Sequence, residues 1–91
     1  MILNVSWSEE KNQWLIKNRG FGFQDIVSLL ESDGFLGDIE NPSPNYPNQR
    51  ILYVAMEGYV VSVPYIETED GIFLKTAFRD RKATKRHMKD G

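Results

Sequence analysis

The stretch Arg50-Ile51-Leu52-Tyr53-Val54-Ala55-Met56-Glu57-Gly58-Tyr59-Val60-Val61-Ser62-Val63-Pro64-Tyr65-Ile66 decides the fold. It is dense in β-branched and aromatic residues, the types that fit a pleated, partly buried strand. Glu57-Gly58 divides it, and so short a connection suits two antiparallel neighbours joined as a hairpin. Strands are therefore predicted over Arg50 to Met56 and Tyr59 to Ile66. A third, Ile72 to Phe78, follows the short link Thr68-Glu69-Asp70-Gly71, which completes an antiparallel meander of three strands. Pro64 lies inside the middle run without an N–H to donate, so a bulge or a locally unpaired edge is expected there.

Upstream of the sheet the chain changes period. Ile2 to Trp7 alternates polar Asn4 and Ser6 with apolar Leu3, Val5 and Trp7, the pattern of a short strand with one apolar face. Ser8 reads as a helix N-cap, with Glu9 and Glu10 in the first turn where the helix dipole favours carboxylates. Trp14 and Leu15 give this helix its apolar side, and Gly20 stops it. Phe23, Ile26, Val27 and Leu30 fall at helical spacing and predict a second helix, ended by Gly34. Asn41 to Asn48 carries Pro42, Pro44 and Pro47 and reads as an ordered or extended loop. The tail, Arg79 to Gly91, contains helix formers; if helical, it lines Arg79, Lys82, Arg86 and Lys89 along one side. The expected fold is α+β: a short N-terminal strand, two helices packed on one face of a three-strand meander, then a basic C-terminal tail or helix.

Composition narrows the function. With 91 residues the chain suits one domain, 1–91, and 41% apolar residues suffice for a core. The absence of cysteine removes disulfides, thiolate nucleophiles and cysteine-based metal sites. No apolar run approaches the ~20 residues of a membrane span, and no charged segment leads into a signal-peptide core, so a cytoplasmic protein without a membrane partner is expected. The net charge of -2 conceals a polarity. Residues 1–19 hold three basic and two acidic side chains, residues 20–74 one and nine, and residues 75–91 seven and two. The terminal excess of cations is dense enough to attract phosphate.

Three motifs carry a family likeness. Trp7-Ser8-Glu9-Glu10-Lys11-Asn12, Arg19-Gly20-Phe21-Gly22-Phe23 and Arg81-Lys82-Ala83-Thr84-Lys85-Arg86 resemble, in order and approximate spacing, the opening, middle and closing signatures of BrnT-type toxins. Those belong to the broad RelE-like group. Arg19 stands where the family usually has His, His87 where a Glu commonly follows, and Arg79 and Asp80 replace small residues. The resemblance implies a RelE/BrnT-like domain acting as the toxin of a type II toxin–antitoxin pair. It further implies a bacterial ribonuclease that cleaves mRNA and inhibits translation. Its implied partner is a cognate antitoxin with a ribbon-helix-helix DNA-binding part, operator DNA being reached only through that complex.

The residues themselves support such chemistry without a metal or cofactor. Cleaving RNA through its 2′-OH needs a base, cations for the crowded phosphorane, and an acid for the departing 5′-oxygen. Arg81 and Lys85 are candidates to neutralise the transition state, Arg79, Lys82 and Arg86 to bind RNA. Histidine is the side-chain type that exchanges protons near neutrality, which makes His87 the candidate for proton transfer. Tyrosines on a sheet can stack on unpaired bases, and Tyr59 is placed in the RNA-binding set, although strand tyrosines are more often packing residues. Trp7 and Trp14 are expected in the core or an interface. Asp38 and Glu40, with Glu31 and Asp33 upstream, read as an acidic solvated edge, and Gly20-Phe21-Gly22 as a turn. The alternative function is a non-catalytic module in which the basic tail and the sheet surface dock an antitoxin and the chain acts as corepressor.

Overall fold

Alternation along the two long hairpin strands leaves each with apolar residues on both sides, so neither face can be left to water. A computed structural model describes residues 4–88. The order is β1 (Asn4–Trp7), α1 (Glu9–Arg19), α2 (Phe23–Glu31), β2 (Phe35–Glu40), β3 (Arg50–Met56), β4 (Tyr59–Glu67), β5 (Gly71–Leu74), β6 (Phe78–Arg79) and α3 (Arg81–His87). The chain is α+β, but the sheet is larger than a meander of three. It has six strands in the order β1-β5-β4-β3-β2, with β6 also pairing with β4. It is mixed, because β1 lies parallel to β5 while the other pairings are antiparallel.

Two apolar clusters occupy its two faces. Leu52, Val54 and Met56 of β3 and Val61, Val63 and Tyr65 of β4 pack with Leu15, Phe21, Phe23 and Ile26 from α1, α2 and their joint. Side chains of opposite parity, Tyr53 and Val60, pack with Ala83 of α3. Helices α1 and α2 thus lie on one face of the sheet, and α3, whose place the sequence left open, takes the other. Burying a side chain such as Leu15, Phe23 or Ile26 contributes about 1.5–3 kcal/mol, which is what holds the helical layer down.

The joint between α1 and α2 is built on one buried amide. Ser8 caps α1 by accepting from the Lys11 N–H, and Gly20 ends it at φ 82°. Asn12, fully buried on α1, accepts from the Phe23 N–H at 2.7 Å and donates to Gln24 at 3.0 Å. It therefore satisfies the first turn of α2 from a neighbouring helix. Gly22 allows this approach, since a Cβ there would lie 2.7 Å from Asn12 Oδ1.

Several boundaries differ from the sequence reading. The run from Ile72 to Phe78 is two strands, β5 and β6, interrupted at Lys75, Thr76 and Ala77. Pro64 explains the interruption. Its carbonyl accepts from Lys75 N at 2.8 Å, so its missing N–H faces the same broken edge. Strand β2 was not anticipated: Gly37 and a register shift between Phe35 and Gly37 spoil its alternation, and as an edge strand it leaves Phe35 and Ile39 exposed. The loop between β2 and β3 contains no strand, as its prolines require. Trp14 does not join the core. It is 43% exposed, with Lys11 and Arg19 lying over its ring.

Candidate functional site

The basic C-terminal residues are held against the sheet by a short polar bolt. Asp80 caps α3, accepting from the Ala83 N–H at 3.0 Å through one oxygen and from the Ser62 hydroxyl at 2.7 Å through the other. Burial pushes the Asp80 carboxyl up, but those two donors and the nearby Arg86 outweigh it and hold it below its ordinary value. Val60 N donates to Thr84 Oγ1 at 2.8 Å, and Val60 O accepts from Asp80 N at 2.9 Å. A threonine hydroxyl thus stands in where the two-residue strand β6 has run out. Ala83, fully buried, lets the helix lie close.

Docked this way, α3 separates two concave surfaces. The first, about 580 Å³, is lined by Tyr59, Arg79, Arg81, Lys85 and Met88, with Thr84 and Asp80 at its base. The Arg79 guanidinium lies 4.6 Å from the Tyr59 ring centre and 5.4 Å from that of Phe21, and donates to the Arg19 carbonyl at 3.2 Å. Arg19 reciprocates by donating to the carbonyl of Ala77. Among the described residues the one ion pair is Arg50 with Asp38, on the far side of the sheet edge. Arg79, Arg81 and Lys85 therefore line a cleft beside Tyr59 without an ion-pair partner within 4 Å among the described residues, the Asp80 carboxylate that also lines it being taken up by Ala83 and Ser62.

The second surface, about 560 Å³, has Ile39, Ile51 and Tyr53 as its floor and Lys82, Arg86 and His87 as its wall. The His87 ring sits 5.4 Å from that of Tyr53, and the Arg86 guanidinium 5.8 Å from the same ring. The sequence-predicted residues therefore divide. Tyr59, Arg79, Arg81 and Lys85 come together; Lys82, Arg86 and His87 come together on the other side of the helix. The single basic stripe through Arg79, Lys82 and Arg86 is not found, because Arg79 belongs to β6 and projects to the α1–α2 side with its partner Val61. Lys89 of that stripe lies outside the described residues.

Other side chains acquire plain structural duties. Tyr65, 4% exposed, donates its hydroxyl to Asp38 at 2.9 Å, and Arg50 Nε donates to the same carboxylate at 3.1 Å. Burial, and next the bond to Asp38, push the Tyr65 phenol up to about 12. Asp38 is therefore part of a polar clamp between β2, β3 and β4. Among the described residues no group of three or more His, Asp or Glu side chains could hold a metal ion, and no helix is long and apolar enough to cross a membrane. Sequence reasoning missed Tyr53 as the floor of the second surface. It also missed a third, smaller cavity beyond Tyr59 and Arg79, to which Asp25 and Glu57 contribute. Parity along β3 could have placed Tyr53; nothing in the sequence brings Asp25 to Glu57.

No protein-family model matches the chain, and neither a curated protein nor a solved structure does.

Proposed function

We propose that the chain is a RelE/BrnT-like toxin of the RNA-cleaving kind, acting in the cytoplasm and neutralised by a cognate ribbon-helix-helix antitoxin. The observation that supports it is the cleft in which Arg79, stacked on Tyr59, is joined by Arg81 and Lys85. A nucleic-acid strand offers phosphates to the three cations and a base face to the aromatic ring, a pairing typical of single-strand binding.

In the cleavage step the 2′-oxygen forms a bond to the adjacent phosphorus as the bond to the 5′-oxygen breaks. The 2′-OH proton leaves to a base, and the departing 5′-oxygen gains one, yielding a 2′,3′-cyclic phosphate. Arg81 and Lys85 neutralise the phosphorane, and Arg79 holds the strand. His87 lies on the other side of α3 from this phosphorane, so the 2′-OH proton passes to water and the departing 5′-oxygen takes its proton from water. Expression without an antitoxin, with profiling of RNA ends, tests this: growth arrest and new cyclic-phosphate ends are expected, and both are lost in Arg81→Ala combined with Lys85→Ala.

One observation favours a second reading, a non-catalytic antitoxin-binding module. His87 faces Tyr53 and shares no cavity with Arg81 or Lys85. On that reading the chain binds its partner tightly, causes no growth arrest when expressed alone, and leaves every RNA intact.

A further inference from the structure

The cleft and the third cavity share a wall. Tyr59 and Arg79 line both, so the two hollows are neighbours on either side of this pair. The third cavity is about 320 Å³, at the small end of the ~300–1,000 Å³ range of ligand sites. Leu29 and Met56 supply apolar surface, and the carboxylates of Asp25 and Glu57 and the hydroxyl of Ser28 supply polarity at its rim. Its polar groups differ in kind from those of the cleft. Apart from Arg79, which belongs to both, the charged side chains of the cavity are the carboxylates of Asp25 and Glu57, which disfavour a second phosphate there and suit a donor-rich ligand, whereas Arg81 and Lys85 of the cleft suit phosphate.

Among the bases, guanine presents two adjacent donors, N1–H and the N2 amino group, spaced to meet both oxygens of one carboxylate. Adenine sets an acceptor, N1, beside its single amino group, and uracil sets one imino donor between two carbonyls. A carboxylate thus accepts two bonds from guanine and meets a lone pair on adenine.

Glu57 lines the cavity from an exposed position. It is the first residue of the β3–β4 turn at φ 53°, a left-handed conformation that Gly, Asn or Asp adopts more readily than Glu. Asp25 already accepts from Gly22 N through one oxygen at 2.8 Å, which fixes its carboxylate at the start of α2.

We infer that this cavity is a guanine-selective base site, entered by the nucleotide next to the phosphate held by Arg79, Arg81 and Lys85. The inference rests on the RNA reading of the cleft and adds its specificity.

The test compares binding of fluorescent UUGUU, UUAUU and UUUUU RNA to the full chain at one salt concentration, with Glu57→Gln and Glu57→Asn beside the native sequence. Asn suits the left-handed turn, so that variant keeps the fold secure. UUGUU should bind about tenfold more tightly than UUAUU, the worth of roughly one charge-assisted hydrogen bond. In both variants binding of UUGUU should weaken, whereas UUUUU should bind more tightly because a negative charge has left the neighbourhood of its phosphates. A merely structural role for Glu57 moves all three ligands in one direction and overturns the inference. Equal, salt-sensitive binding of the three RNAs to the native chain overturns the base site and leaves the cleft reading standing. No binding of any of them overturns both.

Discussion

Thr84 Oγ1 accepts the Val60 N–H at 2.8 Å and donates its own hydrogen to the Asp80 carbonyl at 2.7 Å. One side chain thereby closes the edge of β4 and the first turn of α3 together. Val60 is fully buried, so its N–H has no access to water as a substitute partner. Thr84→Val keeps the shape and removes both bonds. It should destabilise the fold by about 1–3 kcal/mol, the cost of an unpaired buried donor, as measured by urea unfolding. RNA binding should fall with it, since Arg81 and Lys85 ride on the helix that Thr84 fixes.

The Asp80 carboxylate gives that attachment a pH dependence. Its folded-state value lies below the ordinary one, so the folded state binds fewer protons than the unfolded chain in the acid range. The stabilisation is complete above about pH 4, the unfolded carboxylate value, and is lost as pH falls through the lowered folded value. An acid titration followed by circular dichroism should show this loss in the native chain. Asp80→Asn should flatten the contribution while lowering stability at neutral pH.

At the opposite end of the pH scale Tyr65 should report on the other clamp. Its phenol is raised to about 12, so the folded state retains a proton that the unfolded chain releases near 10. Stability from this group is full below about pH 10 and declines as pH rises toward 12. Tyrosinate absorbance should show one late-titrating tyrosine, absent from Tyr65→Phe. A native chain whose tyrosines all titrate together near 10 would contradict the buried clamp.

Asn12 belonged to a motif noted for its family likeness, and its duty is structural. Asn12→Ala strips the Phe23 N–H of its partner inside the core and should cost about 1–3 kcal/mol by thermal or urea unfolding, with the α1–α2 joint exchanging amide hydrogens faster. Gly22→Ala should mimic it by forcing Asn12 away.

Particular residues show how far the sequence could be read. The density of β-branched and aromatic residues over Arg50 to Met56 and Tyr59 to Ile66, the Glu57-Gly58 turn, the Ser8 cap and the Gly20 stop are local signals, and β3, β4 and α1 stand where they lie, β4 running one residue further to Glu67. Pro64 marked an irregular edge because a missing donor is also local. Strand β2 was not legible: its shift at Leu36 and its exposed Phe35 and Ile39 erase the alternation that identifies a strand. The parallel pairing of β1 with β5 joins segments distant in sequence and leaves no local trace. The basic tail announced a cationic surface, but its division by α3 depends on Ala83 and Thr84 facing the sheet. That orientation sends Arg81 and Lys85 one way and Lys82, Arg86 and His87 the other.

The central claim is that Arg79, Arg81 and Lys85 meet RNA phosphates together in one cleft. The most direct measurement is the affinity of a single-stranded RNA as a function of salt, for the native chain and for the combined Arg79→Ala, Arg81→Ala and Lys85→Ala variant. Each phosphate contact contributes about 0.7 to the slope of log affinity against log salt for single strands, so the variant should lose roughly 2 from that slope. An unchanged slope in a variant that remains folded contradicts the claim.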